Sequence, residues 1–427
     1  MLDIKLLRKD PSFYEKKLRS KDPSVDLAPI LALDEKIRAL KAEVEEIKAK
    51  RNHLSQEIGE KKRKKEDTSS LMAEVGGLGD KARLIDHELT QLEADFTQKL
   101  AGVPNLPMDE IKISSDPKEN VCIKTVGEKP TFSFPFKNHV ELGSSLGLFD
   151  FERAAKVSGS GWTFYTNLGA RLEWALLNYM LDIQLENGFK MVMPPLLVKQ
   201  EIMFGVGQLP KFEQQLFKLN DEHYQLYLIP TAEAALNGFH YDEILKEEEL
   251  PLKYTAYTPC FRREAGAAGS QERGLIRTHQ FNKVEMFAFT RPDQSERIFN
   301  EMLASAEEVL QGLGLHYRLM LLVTGDMSFA AAKTVDIEVW LPGQNRYYEV
   351  SSISHCTDYQ ARRSMIRFRK KEEKPELVHT LNGSGLATSR LMVALLENFQ
   401  REDGSISLPL VLHKYLNGIK ELNDTPR

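Results

Sequence analysis

FRREAGAAGSQERGLIRTHQFNKVEMF, residues 261–287, sets four arginines and one histidine around a bare run of Gly, Ala and Ser. Alternation with period two from Arg277 puts Arg277, His279, Phe281, Lys283 and Glu285 on one face of a predicted strand. Phe281 and Glu285 then stand ~13 Å apart at ~3.3 Å per residue, about the span of a nucleoside monophosphate carrying a small acyl group. An arginine fork binds a phosphate in bidentate fashion, an aromatic face stacks on a purine, and a carboxylate meets a cation. One extended ligand laid along the strand explains all three. A sheet carrying a cross-strand charge ladder and one buried Phe explains this segment equally well by itself.

Outward from that stretch, residues 120–427 alternate short β-rich runs with helices and lack the regular βαβ repeat of a doubly wound fold. The run LEWALLNYMLDIQLENG reads as a long amphipathic helix with a Gly stop. Strands are predicted at FKMVMPPLLV, YQLYLIPTAE, KYTAYTPCFRRE, IRTHQFNKVEMFAF, TVDIEVWL, RYYEVSSIS and LVHTLNG, with a hairpin turn at Pro342-Gly343-Gln344-Asn345. LNGSGLATSRLMVALLEN leads through Gly383-Ser384-Gly385 into an apolar helix with Arg390 in its early turns, where a second arginine can clamp a phosphate tail. There is no GxxxxGK[ST] loop and no strand-linked GxGxxG, so a nucleotide must be held another way.

The N-terminal part has a different texture. Ile30, Leu33, Ile37, Leu40, Val44, Ile47, Leu54 and Ile58 recur three and four apart among Lys, Arg and Glu. After KKRKKEDTSS a second stripe runs through Leu71, Val75, Leu78, Ala82, Ile85, Leu89, Leu92, Phe96 and Leu100. Two such helices bury their stripes most simply on each other, as an antiparallel hairpin over about residues 27–100, with an arm ~55–60 Å long at ~1.5 Å per residue. The expected division is a hairpin-bearing domain at 1–104, a proline-bearing linker at 105–120 and a catalytic domain at 121–427. The fold class is α+β: an antiparallel sheet flanked by helices, preceded by the long hairpin.

Bulk properties narrow the function. With 42% hydrophobic and 28% charged residues and a net charge of −5, the chain is not built to coat nucleic acid, although local patches remain free to bind it. Cys122, Cys260 and Cys356 are scattered, which excludes a cysteine-based structural zinc site and fits a reducing compartment. The charged start MLDIKLLRKD lacks the apolar core of a signal peptide, and no apolar run reaches membrane-spanning length. The expectation is a cytoplasmic protein with no membrane contact.

Three segments in order carry a family resemblance. The long helix with GFKMVMPP and Pro195 resembles motif 1 of class II aminoacyl-tRNA synthetases, FRRE…RTHQFNKVEMF resembles motif 2, and GSGLATSR resembles motif 3. GQLPKF, LYLIPTAE, GLIRTHQFNKVE, EVSSIS and TLNGSGLA extend the resemblance along the chain to the bacterial-type seryl-tRNA synthetases. The resemblance implies ATP-dependent attachment of L-serine to tRNA(Ser) through a seryl-adenylate, and serylation of tRNA(Sec) where that tRNA exists. It also implies a homodimer made largely through motif 1.

The same resemblance implies that Thr231, Ala232, Glu233, Glu285 and Ser384 line the serine pocket, with Asn382 as an additional contact. It implies that Arg262, Arg263 and Glu264 bind ATP, with Arg262 on the α-phosphate and Glu264 on adenine, although many members carry Ser where Arg263 stands. Phe281 would stack on adenine, Arg390 would hold the γ-phosphate, and Glu349, Val350, Ser351 and Ser352 would form a further ATP element. Arg262 and Arg390 would be the catalytic cations, and Glu349 and Ser352 would hold Mg2+. These last two are three apart and would face opposite ways on a regular strand, so a bulge or strand end must re-aim one. No protein general base is evident, and positioning with charge stabilisation suffices for such chemistry.

The 28 residues after Phe399 are too few for a further domain, which leaves the hairpin as the tRNA reader. The resemblance places that arm on the long variable arm of serine tRNAs. The tip run Lys61-Lys62-Arg63-Lys64-Lys65 is open to two readings, an RNA contact or charges favoured by the helix C-terminus. The loop Ala265–Gly274 is expected to meet the tRNA acceptor end through Arg273 or Gln271. His355 and Cys356 read as packing, the group Trp162, Phe164 and Tyr165 as core, and Arg362 and Arg363 as surface or salt-bridge residues. Two rival functions are a ligase that loads a carrier protein, and a non-catalytic coiled-coil protein. The hairpin speaks against the first, and the intact Arg262, Glu264, Phe281, Glu285 and Arg390 against the second.

Overall fold

The computed structural model describes residues 1–264 and 274–423, in two compact units, Met1–Pro104 and Asn105–Arg427. In the first unit, helices α1 (Ile4–Lys9) and α2 (Pro11–Arg19) precede the long helices α3 (Ala28–Arg63) and α4 (Ser69–Ala101). The striped residues meet: Ile37, Val44 and Ile47 pack with Ala82, Ile85 and Leu89. Ion pairs Lys36–Glu88, Glu43–Lys81 and Lys50–Glu74 flank that seam. Partner numbers fall on α4 as they rise on α3, so the helices run antiparallel. The tip lysine Lys61 pairs with Glu57 one turn earlier on the same helix.

Among the described residues of the second unit, eight strands form the main sheet. They are β1 (Val121–Val126), β2 (Lys190–Met191), β3 (Leu252–Phe261), β4 (Gln280–Thr290), β5 (Tyr317–Leu321), β6 (Lys333–Leu341), β7 (Arg346–His355) and β8 (His379–Ala387). The spatial order is β1-β5-β6-β7-β8-β4-β3-β2, antiparallel throughout except for the short β2 against β3. Helices α5 (Asn167–Glu186), α6 (Ser295–Leu313) and α7 (Thr388–Asn398) cover it, and Leu176, Met180, Met302, Leu310, Leu391 and Leu395 fill the core with Val284, Met286 and Ile337. The α+β expectation holds. Gly188, at φ 79°, takes the left-handed turn that stops α5 before β2. Asn345, at φ 49°, closes the β6–β7 hairpin after the Pro342–Gln344 turn.

Other expectations need correction. The strand at 276–289 begins only at Gln280, because the chain turns through Gly274 (φ 72°) and residues 275–279 are irregular. Arg277 and His279 therefore precede the ladder. The strand within YQLYLIPTAE is only Leu226–Leu228, paired with Leu197–Lys199, and the chain leaves it at Pro230. Thr231 and Ala232 lie in the turn before a short helix, Glu233–Gly238. Two strands, β1 and β5, were not anticipated. Residues 105–120, expected as a linker, lie on the sheet's flank: Asn105 Nδ2 donates to the carbonyls of Ala330 (2.9 Å) and Cys356 (2.8 Å), and Ile111 is buried with Met320, Leu322 and Met327.

Candidate active site

Strand β4 carries the site. Its residues Phe281, Lys283 and Glu285 alternate onto one face, and β3 and β8 flank it with Ala256 and Ser384 opposite Glu285. Glycine lets β8 come close to β7, since a Cβ at Gly383 would stand 2.3 Å from Ile353 Cδ1. Two cavities open on this surface. One of about 480 Å3 is lined by Thr231, Glu233, Glu285, Asn382, Ser352 and Ser354 among others. The other, about 160 Å3, is lined by Phe281, Arg277, Val350 and Arg390 among others. Arg262, Glu264, Lys283, Glu349 and Ser384 line both, so the two adjoin.

The larger cavity ends in carboxylates. Glu285, 2% exposed, accepts a hydrogen bond from Thr231 Oγ1 (2.9 Å) and an ion pair from Lys283. Glu233 accepts from Gln360 Nε2 (2.6 Å), and Gln360 in turn accepts from Thr380 Oγ1 (2.7 Å). Burial, and then the charge of nearby Glu285, pushes the Glu233 carboxyl up to about 7. A pocket ending in two acidic groups beside a hydroxyl suits a small ligand that brings an ammonium and a hydroxyl of its own.

The smaller cavity is cationic. The Arg262 guanidinium lies over Phe281, 5.1 Å from the ring centroid, and its Nε donates to Pro230 O (3.3 Å). Arg390 Nη1 donates to Glu349 O (2.7 Å). Arg277 Nη1 donates to Glu264 Oε2 (3.0 Å), and Glu264 sits in the left-handed region at φ 46°. At the junction, Ile337 pairs with Ser351 and Glu338 with Glu349, which leaves Val350 as a bulge residue. That bulge puts Glu349 and Ser352 on one cavity despite their spacing. Asp336, opposite Ser352 on β6, adds a third oxygen group whose buried Oδ1 has no hydrogen-bond partner among the described residues. Burial, then the Glu349 charge, holds the Asp336 carboxyl well above the usual carboxylate range.

Known proteins resemble this chain in sequence and fold. Residues 216–399 match the family tRNA synthetase class II core domain (G, H, P, S and T), and residues 1–107 match the seryl-tRNA synthetase N-terminal domain. The chain is 54% identical over 422 residues to a serine–tRNA ligase of Chlamydia pneumoniae, covering 99% of each. The chain belongs to the seryl-tRNA synthetase family, the class II serine–tRNA ligases. A ligase of Chlamydia abortus is 55% identical over 97% of this chain and 98% of its own. The crystal structure of seryl-tRNA synthetase from Pyrococcus horikoshii complexed with ATP superposes with TM-score 0.93 at 38% identity over the whole of both chains. The cytoplasmic enzyme of Naegleria fowleri in complex with AMP gives 0.88 at 29% identity over 99% of each. Among the described residues no helix of this synthetase is long and apolar enough to cross a membrane.

Most residues singled out in the sequence of this synthetase converge on the two cavities. Ala232 does not; it packs in an apolar cluster with Leu236, Leu245 and Phe287. Ser351 is buried behind the wall, donating from Oγ to Ser384 O (2.6 Å). Arg263 is exposed, and its backbone N–H bonds Gln215 O (3.0 Å). Arg273 and Gln271 lie outside the described residues. Trp162 and Phe164 are not core: Phe164 is exposed, and Trp162 is half-buried against His279, ring centroids 5.6 Å apart and planes tilted by 42°, while His279 Nδ1 bonds Arg262 O (3.0 Å). Arg363 is not a surface residue either; it is buried and donates to the carbonyls of Phe204 and Leu209 and to Tyr359 OH. His355 is a packed core histidine, its pKa lowered to about 3 by burial first, then by His379 and Lys333. Gln360 and Asp336 carried no sequence signal, because their roles depend on β8 and β7 lying alongside.

Proposed function

We propose that the two adjoining cavities hold serine and ATP end to end, and that the enzyme makes seryl-adenylate before esterifying the 3′ end of tRNA(Ser). The observation that carries this is the placement of Phe281 and Glu285 on one strand face, with Arg262 lining both cavities between them. Serine's ammonium goes to the acidic end formed by Glu285 and Glu233, and its hydroxyl to the polar wall of Thr231, Asn382 and Ser384. An analogue lacking the hydroxyl leaves that wall unpaired and is rejected. Adenine stacks on Phe281 once Arg262 turns to the α-phosphate, and Arg390 holds the far phosphates. The serine carboxylate attacks the α-phosphorus in line, pyrophosphate departs, and no side chain needs to take a proton in this step.

Magnesium fits the oxygen-only set of Glu349 and Ser352, beside the unpartnered Asp336 Oδ1. It would supply charge neutralisation for the ATP phosphates. The hairpin α3–α4 is the tRNA reader in this proposal, and its match to the family's N-terminal domain supports that. Serylation of tRNA(Sec) follows if that tRNA presents the same arm. A homodimer through motif 1 is supported by apolar side chains left exposed there, Trp174 at 57% and Met193 at 83%. The test is ATP–pyrophosphate exchange with each amino acid, followed by charging of total tRNA. Serine alone should support exchange, and only serine acceptors should be charged. Exchange with another amino acid refutes the serine assignment; exchange without charging points to a carrier-protein ligase.

A further inference from the structure

Among the described residues that line the larger cavity, two are cations: Arg262 has a role in the reaction above and Lys283 has none. This lysine stands on β4 between Phe281 and Glu285, on their face, and borders both cavities. Its side chain is 8% exposed, its Nζ donates to Thr231 Oγ1 (2.8 Å), and it forms an ion pair with Glu285. Thr231 and Glu285 are the groups assigned above to serine. A protein ammonium thus occupies the place that the substrate's ammonium must take.

A buried cation that loses its carboxylate is left uncompensated at high cost. Serine is a zwitterion, so the ligand that displaces Lys283 from Glu285 also delivers a new carboxylate. Two residues from Phe281 and two from Glu285, Lys283 projects ~6.6 Å from each along the strand, at the junction of acyl group and nucleotide. Its flexible four-carbon stem can swing a point charge across that gap. Arg262 is needed on the nucleotide side, so Lys283 is the free choice for the carboxylate.

We infer that Lys283 is a substrate-binding switch, paired with Glu285 as the structure shows and transferring to the serine carboxylate when serine binds. This rests on the assignment of the larger cavity to serine. Lys283 aims the carboxylate at the α-phosphorus and offsets the repulsion between the carboxylate and the triphosphate.

The experiment compares calorimetric binding of L-serine and L-serinamide to the full-length wild type, Lys283→Met and Lys283→Arg. Serinamide keeps the ammonium and hydroxyl but has a neutral amide in place of the carboxylate. Circular dichroism checks that each variant is folded, and Lys283→Gln replaces Lys283→Met if the latter is not. Lys283→Met should weaken serine about 10- to 100-fold, the worth of a charge-assisted contact, and leave serinamide unchanged or bound more tightly because Glu285 is freed. Lys283→Arg should keep the preference for serine. Equal losses for both ligands in a folded variant would make Lys283 a structural prop and overturn the inference, as would unchanged serine binding. If the wild type binds a different amino acid instead, the serine assignment fails separately. That amino acid and its amide then put the same question to Lys283.

Discussion

Replacing Glu233 by Gln removes a carboxyl that burial and the neighbouring Glu285 hold up, from 4.5 to about 7. The sign follows from proton counts. Between those two values the unfolded chain has released its proton while the folded one keeps it, so wild-type stability falls as pH rises through this window and levels off above about 7. The full difference is ~3 kcal/mol at 1.36 kcal/mol per pKa unit. Gln cannot ionise and still bonds Gln360, so the variant's stability relative to wild type should climb with pH by ~2 kcal/mol between pH 5.5 and 8. That corresponds to a melting-point gain of about 3 °C for a unit of this size, at about 2.1 cal/mol/K of unfolding entropy per residue. All three tryptophans, Trp162, Trp174 and Trp340, lie in the second unit, so their fluorescence on urea or thermal unfolding reports on it alone. Serine binding should move the other way. The ionised carboxyl attracts the ammonium, so the wild-type KM for serine should rise as pH falls below about 7, and the variant should bind serine poorly at every pH. A stability difference that stays flat or shrinks with rising pH refutes the reasoning.

The stacking assigned to Phe281 predicts that Phe281→Ala raises the KM for ATP about 10-fold, from ~1–3 kcal/mol per stacked base, with the KM for serine unmoved. Equal effects on both substrates would instead mean that the strand is distorted. Glu349→Gln should raise the Mg2+ concentration for half-maximal pyrophosphate exchange several-fold, and an unchanged Mg2+ titration removes Glu349 from the metal site. Excising residues 28–101 behind a short glycine linker should spare pyrophosphate exchange and abolish efficient tRNA charging; unimpaired charging contradicts the role given to the hairpin.

Local pattern was enough for the elements whose partners are near in sequence. The stripes of α3 and α4 could be read as a hairpin because each alone exposes an apolar seam that only the other covers, and Ile37, Val44, Ala82 and Ile85 do meet. The alternation along β4 put Phe281 and Glu285 on one face because a strand's side-chain period leaves no other choice. The motif-bearing segments were legible as a family for the same reason, since each is a short run whose chemistry is set by adjacent residues. What pattern could not reach was every contact made across the sheet. Strand β4 starts late because His279 N–H is drawn off to Gly161 O, a partner more than a hundred residues away. Glu349 and Ser352 share a cavity because Val350 bulges against β6. Lys283 and Glu285 were visible as neighbours on a face, but Thr231, which binds both, comes from a separate turn. Periodicity is a property of one segment. The charge balance of a buried site belongs to whichever segments the fold encloses together, and here the tertiary structure alone decided which ammonium occupies Glu285.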